Sequence, residues 1–346
     1  MPSQGPIRAF LAALCAIAVL AAYSVAAAAD RLSIGALRLV SSAPLFIAQD
    51  RGYFAAEGLA VDIRFHETAR DVARAAADGE TDLGITGLTA DFYALAGKGA
   101  LRIVAAQARE EPGFEFVAYV VNARAHAAGF TSVAQFPGKT VGVTTIGSTF
   151  HYSLGRLAVR RDFRIEDVLL RPLGSIAGMA DALKAGEVDA VLLPAEIARR
   201  LENEGSGRII GWVSEETPWQ LGALFANAAT LDDRRAAVER FVRAYRRATA
   251  DYAGAMLQRD KDGRRVFGAE ADALAATLLR YLEPGATVAQ IKAATPYIDA
   301  EARLLVRDIH HQLRWYQAAG MVDREADAGR MLDLSFVPDH LDVPRP

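Results

Sequence analysis

Apolar and polar positions alternate along this chain in blocks of two kinds. Residues 32–37, 60–65 and 83–86 are short apolar runs that read as strands, while 45–58 and 69–78 carry helical spacing. This β-α-β-α-β rhythm predicts an α/β chain whose largely parallel sheet is covered by helices. A further strand is expected over 100–107, followed by an apolar run over 116–121 and another near 220–226. From Asp232 onward the pattern is mostly helical, with turn signals at Glu283-Pro284-Gly285 and Thr295-Pro296.

The rhythm repeats. Ser33-Ile34-Gly35-Ala36 matches Thr140-Val141-Gly142-Val143, and Gly79-Glu80-Thr81-Asp82-Leu83 matches Gly186-Glu187-Val188-Asp189-Ala190, both at a spacing of 107 residues. Two matches at one spacing, in the same order of elements, predict two similarly wound halves. Ligands of open parallel sheets sit beyond the carboxyl ends of the strands, so the repeat also locates candidate loops. After the first strand of each half stand paired hydroxyls, Ser41 and Ser42 in one and Ser148 and Thr149 in the other. Such residues cap helix N-termini, and those termini attract anions through free N–H groups and the positive end of the helix dipole. Gly147 before the second pair allows close backbone approach. The third strands end in a second matched pair of loops, with Gly87 and Thr89 opposite Pro194 and Glu196.

The first 29 residues differ in kind. Arg8 precedes an uncharged, alanine-rich run ending in Ala26 to Ala29, the pattern of a cleaved signal peptide. Cys15, the one cysteine, lies inside that run, so the chain from Asp30 has no thiol or disulfide chemistry. With 39 Lys and Arg against 42 Asp and Glu, a net charge of −3 and no long basic run, nothing marks a nucleic-acid partner.

The segment from Ala43 to Ile63, APLFIAQDRGYFAAEGLAVDI, resembles the opening signature of the periplasmic solute-binding proteins of the nitrate, sulfonate and taurine type. These share a domain with the thiamine-pyrimidine synthases. The resemblance continues in DLGITGLTADFYAL from Asp82, KTVGVTTIGSTFHYSL from Lys139 and GEVDAVLLP from Gly186. The run from Ser148 to Leu154 is most similar to the taurine-binding branch. The resemblance implies a two-lobed periplasmic-binding-protein fold of type II, in which each lobe is a mostly parallel sheet flanked by helices and the C-terminal region is helical. It also implies a monomer in the periplasm that delivers a small, anionic organic solute, such as taurine, another sulfonate or nitrate, to the permease and ATPase of an ABC importer. From the strand pattern and the repeat, lobe 1 is expected over 30–117, lobe 2 over 118–221, and the return to lobe 1 with the C-terminal helices over 222–346.

The expected ligand contacts are therefore Ser41, Ser42, Gly87, Thr89, Gly147, Ser148, Thr149, Pro194 and Glu196. Trp219, beside Pro218 at a crossover, is expected to enter the cleft, with Arg38 or Arg109 as a cationic contact. Phe46, Phe92, Phe150 and Tyr152 are candidates to cover an apolar part of the ligand, although aromatics at helical spacing are more often core. His151 reads as satisfied within its own helix. No cofactor, metal site or catalytic residue is expected. His126, His310 and His311 lack the spacing of metal ligands, no nucleophile elbow or phosphate-binding loop occurs, and the cysteine-rich iron motif of the synthases is missing. The sequence leaves open an aromatic carboxylate or a thiamine-precursor pyrimidine as ligand, and a periplasmic sensor subunit as role. An enzyme of the synthase type is the last alternative.

Overall fold

The computed structural model describes residues 29–282 and 284–342, so the expected signal peptide lies outside the described residues except for Ala29. The first half of the fold runs β1 (Asp30–Ala36), α1 (Ala43–Asp50), α2 (Tyr53–Ala56), β2 (Leu59–Phe65), α3 (Ala69–Ala77), β3 (Leu83–Gly87), α4 (Ala90–Gly97) and β4 (Leu101–Ala106). The two-residue strand β5 (Ala108–Arg109) follows, and then the second half: β6 (Val117–Asn122), α5 (Ala123–Ala127), β7 (Thr140–Val143), α6 (Thr149–Arg160), β8 (Leu169–Pro172), α7 (Ile176–Lys184), β9 (Ala190–Pro194), α8 (Ala195–Asn203) and β10 (Gly207–Trp212). The chain returns through α9 (Val213–Glu216) to β11 (Gly222–Asn227), and the C-terminal region holds α10 (Ala228–Met256), α11 (Ala271–Leu278), α12 (Val288–Ala293), β12 (Tyr297–Ile298) and α13 (Val306–Ala318).

Besides the short antiparallel pair β5-β12, the elements form two five-stranded sheets, ordered β2-β1-β3-β11-β4 and β8-β7-β9-β6-β10. In each, four strands run one way and the fifth is antiparallel. That fifth strand is the one that arrives from the other half, β11 in the first sheet and β6 in the second. The 107-residue spacing holds at both ends of α3 and α7 and of β3 and β9. It extends to individual hydrogen bonds: Ser33 N–H donates to Asp82 Oδ2 at 2.7 Å, and Thr140 N–H to Asp189 Oδ2 at 2.9 Å. Each aspartate thus ties the strand it precedes to that strand's parallel neighbour. The helix expected over 45–58 is instead two helices, because Gly52 adopts the left-handed conformation (φ 69°) and ends the first.

Two crossings join the sheets, and they pair with each other. Glu110 N–H donates to Trp219 O at 2.9 Å and Trp219 N–H to Glu110 O at 3.2 Å, while Gln220 Nε2 donates to Ala108 O at 3.3 Å and to Gly222 O at 2.8 Å. Glu110 is fully buried, and burial pushes its carboxyl well above the usual carboxylate range. The C-terminal region touches both halves. α10 and α11 pack on α1, whereas α12 packs on α8. From α13, His311 Nδ1 meets the Tyr152 hydroxyl at 2.7 Å and Gln312 Nε2 donates to Gln220 O at 2.8 Å.

The paired aspartates are not equivalent. Asp82 also accepts from Ser33 Oγ, Thr230 Oγ1 and Arg234 Nη1, whereas Asp189 holds Thr140 N–H. Hydrogen bonds to charged groups contribute about 1.5–3 kcal/mol, so Asp82→Ala is expected to cost about 3 kcal/mol or more and Asp189→Ala about half that. Urea unfolding of the two variants checks this, and equal losses would contradict it.

Candidate ligand-binding site

The carboxyl ends of the parallel strands in both sheets face one cleft of about 660 Å³, including the space open at its mouth. Its polar lining is dominated by hydroxyls, with Ser41, Thr68, Thr86 and Thr89 from the first half and Thr144, Thr145, Ser148 and Thr149 from the second. The apolar part is Leu37, Leu39, Phe116, Val117, Phe150, Ile176, Pro194 and Leu221; Glu67, Arg70 and Gln107 complete the polar part.

Helix N-termini explain this composition. Thr68 caps α3 by accepting from Asp71 N–H at 3.1 Å, Thr89 caps α4 through Phe92 N–H at 3.2 Å, and Ser148 caps α6 through His151 N–H at 3.3 Å. The fourth helix, α7, is capped by Ser175 and contributes its first residue, Ile176, to the lining. A cap satisfies one first-turn donor, and the other first-turn N–H groups remain without partners inside their own helix. Four helix ends of the same polarity thus converge where the sheets face each other. Arg70, in the first turn of α3, adds a cation whose Nε is buried without a partner and whose nearest carboxylate oxygen, of Asp71, is 3.9 Å away. Thr86 Oγ1 and Gln107 Oε1 are likewise buried without partners. The arrangement supplies donors and positive potential to an anion.

The two lobes touch beside the cleft. Ala90 N–H, at the start of α4, donates to Gly147 O across the boundary at 2.9 Å. A Cβ on Gly147, which has φ 84°, would lie 2.7 Å from Ala90 Cβ, and a Cβ on Gly87 would lie 2.7 Å from Thr149 Cγ2. Close approach is possible because glycine stands at both positions.

Of the expected contacts, Ser41, Gly87, Thr89, Ser148, Thr149 and Pro194 line the cleft. Ser42 does not: it is fully buried behind α1, and its hydroxyl makes no cap bond. Gly147 is also outside the lining and serves the contact between lobes. Trp219 is a correction of a different kind. It is fully buried with its ring 4.6 Å from that of Tyr152, so it anchors a crossing beneath α6 instead of entering the cleft. Phe46, Phe92 and Tyr152 are core, and Phe150 lines the cleft. His151 holds Gly147 N–H on its Nδ1 at 3.1 Å, and burial lowers its pKa to about 4. Arg109 is buried and ion-paired with Glu111 at 2.9 Å, and Arg38 lies 3.7 Å over the Phe65 ring; neither lines this cleft. Thr68, Arg70, Thr86, Gln107, Thr144 and Thr145 were missed, although Thr144 and Thr145 directly follow a predicted strand and Thr68-Ala69-Arg70-Asp71 reads as a capped helix start. Among the described residues no cluster of His, Cys, Asp and Glu could hold a metal ion, and no helix is long and apolar enough to cross a membrane.

Glu196 lines an adjoining chamber, and burial pushes its carboxyl up to about 7, against the pull of its own and Val40's backbone N–H groups. A carboxyl whose folded pKa is raised holds its proton more tightly when folded, so this burial costs stability as pH rises from 4.5 through 7. Glu196→Gln is therefore expected to match the parent near pH 5 and to exceed it by on the order of 2 kcal/mol at pH 8. Urea unfolding at the two pH values measures the difference, and a pH-independent difference would contradict it.

Residues 40–255 match the family model described as NMT1/THI5 like. No curated protein matches the chain in a sequence comparison. Among solved structures, the alkanesulfonate-binding protein SsuA from Xanthomonas axonopodis pv. citri, bound to MOPS, superposes with a TM-score of 0.70 at 17% identity, covering 88% of this chain and 99% of that one. The periplasmic aliphatic sulphonate binding protein SsuA from Escherichia coli gives 0.68 at 16% identity, covering 92% and 95%. The periplasmic nitrate-binding protein NrtA from Synechocystis PCC 6803 gives 0.68 at 13% identity, covering 89% and 87%. At these identities the likeness is one of fold, the two-lobed fold of periplasmic binding proteins.

Proposed function

The chain belongs to the NMT1/THI5-like family, and on that premise we propose that it is a periplasmic solute-binding protein that presents a small organic anion to an ABC importer. The observation that carries this reading is the convergence of α3, α4, α6 and α7, from both lobes, on one hydroxyl-lined cleft beside Arg70. Lobe 1 comprises residues 30–117 and the chain from 222 onward, lobe 2 comprises 118–221, and the paired crossings at Glu110 and Trp219 are the hinge. The export signal is residues 1–29. Sulfonate and nitrate, named for the neighbouring structures, are oxyanions of the kind that backbone N–H groups and hydroxyls hold, and taurine belongs with them. Three or four charge-assisted hydrogen bonds at about 1.5–3 kcal/mol each reach, in gross terms, the roughly 8 kcal/mol of a micromolar site before ordering and closure costs. Binding rather than turnover also fits His151, whose Nδ1 is engaged and which does not line the cleft.

Thermal denaturation against taurine, longer alkanesulfonates, nitrate, aromatic carboxylates and an aminopyrimidine tests the reading. A ligand at one hundred times its Kd adds about 2.7 kcal/mol, a rise of a few degrees for a chain of this size. An oxyanion is expected to give that rise without being consumed; a rise with the aminopyrimidine alone, or turnover of the compound that binds, would contradict it. Closure has its own test. Gly87→Ala sets a Cβ against the Thr149 methyl across the lobe boundary. It is expected to weaken ligand binding about tenfold with little change in urea stability, and adding Thr149→Ser, which removes that methyl and keeps the hydroxyl, is expected to restore much of the affinity. No coupling between the two substitutions in calorimetric titrations would argue against closure at this contact.

A further inference from the structure

The space between the lobes continues beyond the inner cleft. Leu37, Leu39, Glu67 and Ile176 line both the cleft and a second, outer chamber of about 1400 Å³ including the space open to solvent, so the two adjoin at a mostly apolar collar. Three parts of the chain wall the outer chamber. The loops after β1 and β2 bring Phe65 with the Arg38 guanidinium over its ring, helices α7 and α8 bring Ala177, Ala180 and Ile197, and the C-terminal segment from Leu282 to Gln290 closes the outside. The third wall is the informative one. It lies outside the residues that match the family model and outside the internal repeat, and α12, which follows directly, spans from the lobe 1 side to pack on α8. Leu282, Pro284 and Ala286 make this wall largely apolar, and Glu196 and Arg200 stand at the side formed by α8.

A compact anion such as nitrate or taurine would occupy the inner cleft alone. It would leave unfilled an outer chamber whose apolar residues are interspersed with Arg38, His66, Glu67, Glu196 and Arg200, and which is walled on one side by the segment after Leu282. We propose that the ligand is elongated, with an anionic head in the inner cleft and an alkyl or aryl body that passes the Leu37–Leu39–Ile176 collar into the outer chamber. This rests on the inner cleft being the anion site. Burial of each methylene in the chamber corresponds to about a three- to fourfold gain in affinity.

Isothermal titration of the purified protein with straight-chain 1-alkanesulfonates from methane to octane, and with naphthalenesulfonate, tests the proposal. Affinity is expected to climb by about that factor per methylene once the chain passes the collar. Ala177 is exposed, lines the outer chamber and does not line the inner cleft, so Ala177→Trp narrows that chamber alone. The variant is expected to bind methanesulfonate as the parent does and to lose most of the gain with octane- and naphthalenesulfonate. If short anions bind and chain length adds nothing, or Ala177→Trp weakens short and long ligands equally, the outer-chamber proposal falls and the inner site stands. If no anion of any length binds, both readings fall.

Discussion

Everything at the centre of this molecule depends on how closely two sheets can approach along one seam. The Ala90 N–H to Gly147 O bond and the Gly87–Thr149 contact set that distance, and both exist because side chains are missing where the lobes meet. A Cβ at either glycine would demand room that neighbouring atoms already occupy. With the seam closed, helix N-termini from opposite lobes come within reach of one small molecule, and their dipoles add instead of acting in separate water-filled loops. The crossings at Glu110 and Trp219 join the two sheets and pair with each other. They are held by mutual backbone bonds and by the Gln220 side-chain amide.

The same geometry explains why the site is rich in threonine and serine and holds a single cation, Arg70. Hydroxyls cap the helices, leaving the other first-turn donors for a ligand, and they bring no charge of their own to be neutralised when the cleft is empty. Shape is then left to the rest of the lining. Leu37, Leu39 and Ile176 guard the way outward, and the C-terminal segment decides how far the enclosed space extends.

Periodicity made the core of this fold legible. The apolar runs at 32–37, 60–65 and 83–86 fall on β1, β2 and β3, and the 107-residue spacing carried over to strands, helices and even the aspartate-to-strand hydrogen bonds. Loops at strand ends could be located for the same reason, so six of the ten expected contacts line the cleft. The failures share a cause. Trp219, Ser42 and Gly147 lie close in sequence to cleft-lining residues, but direction within a loop is set by packing against distant partners such as Tyr152, and no local pattern encodes that. Glu196 was found in the adjoining chamber because its helix begins one residue after the cleft-lining Pro194 and turns it outward. The C-terminal helices could be expected as helices, but their placement against α1, α8 and the crossings is tertiary information.

The central claim is that an anion lies between the two lobes, on helix N-termini from both. A crystal structure of the protein grown with an alkanesulfonate, with the sulfur located by its anomalous scattering, tests it most directly. The account predicts one sulfur peak in the inner cleft, its oxygens within hydrogen-bonding distance of first-turn N–H groups of α3 and α6 and of the Arg70 guanidinium. A ligand held by one lobe alone, or a sulfonate group outside the cleft lined by Thr89 and Ser148, would contradict it.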